Sequence, residues 1–408
     1  MGLWSRLFGR SERKYDSLDL FREIYGGRPT RSGIQVTWSQ ALEVTAALGC
    51  GRVLAEGVAQ VPWKVYAGAD GKPATTHPLY DLIYRRPNRW QTSFEFRETL
   101  MFHAVFMGNA YVYKGMVGTA REVRELIPLE PQFMVVVKQP DGSLVYKYQP
   151  VAGESVQFDA ETIWHVRGPS WNGWQGLEAV KMIREAIALA VAAESAHAEM
   201  HRNGARISGL YSVDGKLSPE KYNELSAWLD KYSMGGERAG KPVILDMSAK
   251  WAAQQMTGVD AQHLETRRHQ IEEICRGFRV MPLMVGFSDK TATYASAEQM
   301  FIAHVVHSLS PWYERLEQSG DINLLSDGDR KQGFYTKFTP NALMRGAAKD
   351  RAEFYQRAIG SVNASPGWMT ADEIRSLEEM PPLGGEAAQL FRPAIATNDA
   401  AGASATAA

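Results

Sequence analysis

Gln262 to Gln318 reads QHLETRRHQIEEICRGFRVMPLMVGFSDKTATYASAEQMFIAHVVHSLSPWYERLEQ, and its apolar spacing decides how the chain is organised. Leu264, Ile271, Ile274, Cys275 and Phe278 recur at helical spacing and share one face. Arg268, Glu272 and Arg276 step along another face four apart, where opposite charges support a helix modestly. Val280-Met281-Pro282 should end this helix, because proline disfavours the helical conformation of the residue before it. Gly286, Phe287, Ser288, Asp289, Lys290, Thr291, Ala292 and Thr293 then follow without helical periodicity. A second helix is expected from near Ser296, a candidate N-cap, with Ile302, Val305, Leu309, Trp312 and Leu316 alternately three and four apart. Such a seam wants a partner helix along its length. Pro311 lies inside it and has no N–H for the carbonyl of His307, so a kink is expected there. On pattern alone this is a helical hairpin that any globular core can bury.

Composition sets the bounds. A chain of 408 residues has enough core to fold without disulfide or metal staples and suggests two or three folding units. Hydrophobic residues at 45% and charged residues at 22% are ordinary for a globular protein. The net charge of −1 excludes a global basic surface that grips nucleic acid through its phosphates. Cys50 and Cys275 fall on apolar helical faces and read as small buried hydrophobes, not as a disulfide or a metal site. The opening MGLWSRLFGRSERK is basic and amphipathic but lacks the apolar core of a signal peptide. Arg6 stands where myristoylation needs Ser or Thr. A frayed arm is preferred over a membrane-surface helix, and no apolar run reaches the roughly 20 residues of a bilayer span. A soluble protein with no membrane partner is expected.

Taken in order, Thr37 to Ala59 reads as one helix and Val61 to Tyr66 as a strand. A helix opens at His77-Pro78 and stops before Pro87-Asn88. Thr92 or Ser93 caps a third, which leaves through Gly108-Asn109 directly into a strand. Asn88 and Asn109 read as loop and helix-end residues that bond backbone, not as catalytic groups. From Val123 the period becomes two, and VVVKQPDGSLVYKY is a hairpin with Asp141-Gly142 at its turn. His165, between Trp164 and Val166, reads as a sheet histidine. Leu177 to Arg202 is an alanine-dense helix ended by Asn203-Gly204. A compact αβ insertion follows, with Ser218 and Pro219 opening its helix. Past Gln318 come a turn at Asp327-Gly328-Asp329, a strand anchored by Phe334, Tyr335 and Phe338, and two helices, the last capped by Thr370 with Glu373. Beyond Gly385 the Ala/Gly/Ser/Thr-rich chain is expected to be disordered.

No catalytic or metal pattern emerges. Gly235 to Lys241 has the spacing of a phosphate-binding glycine loop, but Pro242 replaces the magnesium-binding hydroxyl and the strand–helix order is inverted. His263 and His269 stand on no shared helical face, and the acids around Gly328 are too sparse for a calcium loop. There is no zinc spacing, nucleophile elbow or dinucleotide fingerprint, and no cofactor is expected.

The run FRVMPLMVG, a polar loop, TYASAEQM and LSPWYERLE, together with PNRWQTSFEFRETL, GNAYVY and GWMTADEIRSLEEMPPLGG, resembles the portal proteins of tailed double-stranded DNA phages from about Val36 to Pro382. Ala297 stands at or near a position that is Asn in the family, and Gly176 lacks the serine that follows it there. The resemblance implies an α+β subunit: arm 1–36, wing 37–175, first stem helix 176–203, clip 204–261, second stem helix 262–279, tunnel-loop region 280–294, long kinked helix and wing strand 295–340, crown helices 341–385 and disordered tail 386–408. It implies a homo-oligomeric ring of about twelve subunits closed by heterologous contacts around a DNA channel. It also implies docking of the terminase large subunit (the packaging ATPase), the major capsid protein or scaffold, and a head-tail adaptor, at a capsid vertex assembled in the host cytoplasm. In that reading Gly286 to Thr293 faces the DNA, and Leu264, Ile271, Ile274 and Phe278 pack the stem. Two other readings stay open on residues alone: an enzyme such as a nuclease or hydrolase with a site assembled from distant residues, and an oligomeric scaffold that passes no DNA.

Overall fold

The computed structural model describes residues 30–68, 71–118, 121–150, 154–202, 209–212, 218–224, 227, 250–253, 259–287, 294–340, 348–360, 367–378 and 380–391. Thr37 caps α1 (Trp38–Glu43) with a capping box to Gln40. The expected single helix through Ala59 is two, because Val44 is extended (ψ 111°) and buries its side chain, so α2 (Thr45–Ala59) starts afresh. A β-branched residue accepts that extended break readily. β1 (Trp63–Ala67), β2 (Lys72–Pro73) and α3 (Pro78–Tyr84) follow, with His77 as the N-cap of α3.

Thr92 and Glu95 form the capping box of α4 (Ser93–Met107), and those hydrogen bonds hold the Glu95 carboxyl below its ordinary pKa. Gly108 ends α4 at φ +71°, where a Cβ would lie 2.2 Å from the carbonyl oxygen of Leu177. Both the backbone sign and the close approach therefore require glycine. The chain then runs through β3 (Asn109–Val117), β4 (Glu122–Leu129), β5 (Met134–Lys138), β6 (Leu144–Tyr148), β7 (Val156–Asp159) and β8 (Ile163–Arg167). They form two three-stranded antiparallel sheets ordered β4-β3-β8 and β5-β6-β7.

The expected helix Leu177–Arg202 is also divided, into α5 (Ala179–Met182) and α6 (Arg184–Arg202). Ile183 breaks it at φ −100°, ψ 13° and lies over Gly277, where a Cβ would sit 2.3 Å from its methyl. Within the insertion, β9 (Gly209–Ser212) and β10 (Lys250–Ala253) pair antiparallel, and residues 219–224 are helical. The glycine run 235–241 and the expected strand after it lie outside the described residues. α7 (Val259–Phe278) returns against α6, so the two helices flank the insertion as neighbours.

After α8 (Tyr294–His304) and α9 (Ser310–Asn323), the acidic turn proves to be the first turn of α10 (Asp327–Lys331), capped by Ser326 and Asp329. β11 (Phe334–Phe338) completes a sheet ordered β11-β1-β2. α9 pins that strand: Glu317 accepts from the Phe338 N–H at 2.7 Å and Asp321 from the Thr336 N–H at 2.7 Å. Trp63 stacks on Phe338 at 5.2 Å and fills the space left by Gly320. α11 (Ala348–Ile359) and α12 (Ala371–Leu377) follow. Order continues past Gly385, contrary to expectation: Gly385–Ala388 form a 3-10 turn and Gly367 donates to the Phe391 carbonyl at 3.1 Å.

The buried core is continuous from α1, α2 and α4 to α7 and α9, with a satellite of Tyr111, Met134, Tyr146 and Ile163 between the two sheets. Asn109 and His165 seal the junction. Asn109 Oδ1 accepts from the Gly176 N–H at 2.8 Å and from His165 Nε2 at 2.9 Å, while its Nδ2 donates to the Met107 and Gly176 carbonyls. The Tyr146 hydroxyl donates to His165 Nδ1 at 3.3 Å. Asn88 plays the smaller part expected of it: its Oδ1 accepts from Trp90 and Gln91, and its Nδ2 also reaches the Leu126 carbonyl.

Asn109→Ala strands His165 and Gly176 donors in a dry site, and is expected to lower the unfolding free energy by about 1–3 kcal/mol in a denaturant titration. Burial, aided by Arg167, holds the His165 imidazole neutral with a pKa lowered to about 3. The unfolded histidine protonates near pH ~6.5. Stability from this group is thus full above that pH and is lost as pH falls toward the folded value. Unfolding titrations between pH 7 and 4 are expected to show the decline, and to show less of it in His165→Phe.

Candidate functional site

The connection between α7 and α8 ends in a run with no large apolar side chain, Ser288 to Thr293, and the base that leads to it is built residue by residue. On α7, Ile274, Cys275 and Phe278 are buried and Ile271 is half-buried against the core. The Phe278 ring lies 5.3 Å from that of Phe106. The side chain of Leu264 lies outside the described residues. Arg276 pairs with Glu273 rather than with the expected Glu272, an exposed contact that contributes little. Cys275 and Cys50 bring their sulfurs to 3.7 Å inside the core. The contact with Cys275 and burial push the Cys50 thiol up, which leaves it uncharged and unreactive.

α7 ends by reversing the backbone. Arg279 takes φ +57°, the Val280 N–H donates to Cys275 O at 2.9 Å, and Pro282–Val285 make one 3-10 turn. Gly286 closes that turn at φ +80°, and the Phe287 N–H returns to Pro282 O at 3.1 Å. Ser288, Asp289, Lys290, Thr291, Ala292 and Thr293 lie outside the described residues. The chain resumes at Tyr294, two residues before the expected start of the second helix.

The irregularity in that helix is centred one turn before Pro311. Val305–Leu309 form a π turn, in which the Ser310 N–H donates to Val305 O, five residues back. Pro311 then occupies the first turn of α9, where its missing N–H is tolerated. The seam is covered within the subunit only from this point onward: Val305, Leu309 and Leu316 are buried and Trp312 half-buried, while Ile302 is 44% exposed. Among the described residues, nothing within the subunit covers the seam at Ile302.

Three contacts fix the base of the hairpin. Ser308 Oγ, on the π turn, donates to the Arg279 carbonyl at 2.7 Å. Tyr313 OH donates to the Gly57 carbonyl at 2.8 Å, and a Cβ at Gly57 would lie 2.8 Å from Leu309. Val285 packs over Gly49 with 3.3 Å available to a Cβ there. His304 is buried beside the turn with its Nδ1 unpaired, and burial lowers its pKa. The sequence reading missed the π turn, His304, Ser308 and the glycine positions of α2. The spacing of Gly49 and Gly57, eight apart along α2, was the available signal, since it places both on one helical stripe. Among the described residues no group of three His, Cys, Asp or Glu side chains is placed to hold a metal. His165 has both ring nitrogens engaged within the fold. The arrangement fixes the base of the hairpin, and among the described residues it brings no nucleophile to a base.

A family model described as "Phage portal protein" matches residues 45–379. The chain is 30% identical over 407 residues to the "Probable portal protein" of Streptomyces phage phiC31, covering 94% of this chain and 86% of that one. It is 29% identical over 311 residues to the portal protein of Enterobacteria phage HK97, covering 76% and 71%. Among solved structures, a chain from the neck of an empty gene transfer agent particle, computed with C6 symmetry, superposes with a TM-score of 0.60 at 25% identity, covering 92% of this chain and 96% of that one.

Phe278→Asp buries an unpaired carboxylate against Phe106 and is expected to abolish folding, seen as loss of the cooperative unfolding transition. Ser308→Ala removes one hydrogen bond at the hairpin base and is expected to cost about 0.5–1.5 kcal/mol in the same assay.

Proposed function

The chain belongs to the phage portal protein family, and from that premise we propose that it closes into a ring through which double-stranded DNA enters and leaves a capsid. The observation that carries the reading is the hairpin: it is fixed to the core through Val285 before the segment and through Ser308 and Tyr313 beyond α8, while SDKTAT itself holds no large apolar side chain. A segment so placed is free to face an aqueous channel. Its one acid, Asp289, offsets its one base, Lys290, so phosphates meet it without being held. The net charge of −1 over the whole chain fits sliding rather than gripping.

The finer architecture belongs to the same proposal. The wing comprises 37–175 with the strand β11, the two stem helices run within 176–203 and 262–279, the clip occupies 204–261 and the crown 341–385. α6 and α7 lying side by side on either edge of the insertion supports a split stem. The C6 symmetry of the gene transfer agent neck supports a rotationally closed assembly, and about twelve subunits in heterologous contact meet that requirement. The exposed first turns of the α8 seam offer apolar surface for such a contact. The proposed partners are the packaging ATPase, the capsid or scaffold protein and a head-tail adaptor, at a portal vertex of the virion. The family's role is structural, and no catalytic step is assigned.

Deleting Ser288–Ala292 tests the role of the segment. Subunit folding and ring yield are expected to stay at the wild-type level while the DNA content of assembled particles falls several-fold. Full-length packaging with the segment shortened would remove its role in DNA passage, and loss of rings would make it a structural connector.

A further inference from the structure

The cavity between α1, α2 and α4 is not used by anything described above. It is an open cleft of about 640 Å³ lined by Trp38, Leu42, Phe102, Phe106, Met107 and Pro131. His103 also lines it, kept neutral by burial with a pKa lowered to about 4 and with its Nδ1 unpaired. At the rim, Glu130 is exposed. Apolar walls of this extent are costly to leave against water.

Thr30, the first described residue, stands eight residues before Trp38 on the cavity wall. Thr30 and Arg31 are held by hydrogen bonds to Ile34 and to Glu185, in the first turn of α6. The end of α4, where Met107 faces the cavity, touches Leu177 just ahead of α5 and α6. Thr30 and Trp38 are separated by a span of at most about 29 Å at ~3.6 Å per residue. Residues 1–29 precede that point and lie outside the described residues. Within them Leu3, Trp4, Leu7 and Phe8 recur at helical spacing as one apolar face. Arg6, Arg10, Arg13 and Lys14 against Glu12 make the same stretch basic. The tether from Phe8 to Thr30 reaches about 75 Å at full extension, far more than the distance required.

We infer that the cavity seats the chain's own N-terminal arm, with the Leu3–Phe8 face against the α1–α4 walls and the basic face toward Glu130. The apolar extent of the cavity suits large side chains rather than a polar ligand, and the tether gives the arm a local concentration in the millimolar range. A free partner would have to displace it. The inference does not depend on ring formation, because the contact is made within one chain.

The test uses the full chain with a photoreactive residue, Phe8→p-benzoylphenylalanine, irradiated and mapped after trypsin digestion. Cross-links are expected within the same chain to the peptides Ser32–Arg52, Glu98–Lys114 or Glu125–Lys138. Adding Trp4→Asp is expected to lower their yield at least about tenfold, by placing a charge against apolar walls, with the unfolding transition of the core unchanged. Cross-links to other regions, to a second chain, or at a yield indifferent to Trp4→Asp would each overturn the inference.

Discussion

Helix α2 lies so close to its neighbours that Gly49, Gly51 and Gly57 have little or no room for a side chain. A Cβ would come within 3.3 Å of Val285 at the first, 2.3 Å of Phe106 at the second and 2.8 Å of Leu309 at the third. Interiors are packed densely enough that a side chain at Gly51 or Gly57 would force Phe106 or Leu309 to move, and one at Gly49 would press on Val285. The consequence reaches across the fold. α4 meets α2 through Phe106, α7 joins them through Phe278 and Cys275, and the hairpin settles on α2 through Val285, Leu309 and Tyr313. The residues on either side of 288–293, Val285 before it and Leu309 and Tyr313 after α8, take their places from this packing.

Local chemistry explains why much of this was legible beforehand. Capping residues with a fixed partner three positions on, Thr92 with Glu95 and Thr370 with Glu373, mark helix starts that occur where they should. Asp141-Gly142 places the hairpin turn, with Gly142 at φ +90°. Failures came where tertiary contact overrides periodicity. Val44 and Ile183 sit in unbroken helical patterns yet interrupt their helices, because one buries itself in the core and the other must pass over Gly277. The π turn is likewise invisible to a heptad reading, since Val305 and Leu309 keep the spacing of the seam while the backbone bond shifts from four residues to five.

The site was legible in outline and not in its fixings. Loss of periodicity after Gly286 shows where the helices part, but Ser308 and Tyr313 act through carbonyls distant in the chain, and a hydroxyl's partner is not encoded at short range. The buried Asn109–His165–Tyr146 network is of the same kind. Each member alone reads as a loop or sheet residue, and the arrangement arises because β3, β8 and the turn at Gly176 meet. Low-dielectric surroundings make such a network costly to break.

The central claim is that a helical hairpin clamped on α2 presents residues 288–293 to the axis of a ring. A cryo-electron microscopy reconstruction of the purified full-length chain tests it most directly. The account predicts a closed ring whose axial channel is narrowest at Ser288–Thr293. A folded monomer, or a ring that carries this segment on its outer surface, would contradict it.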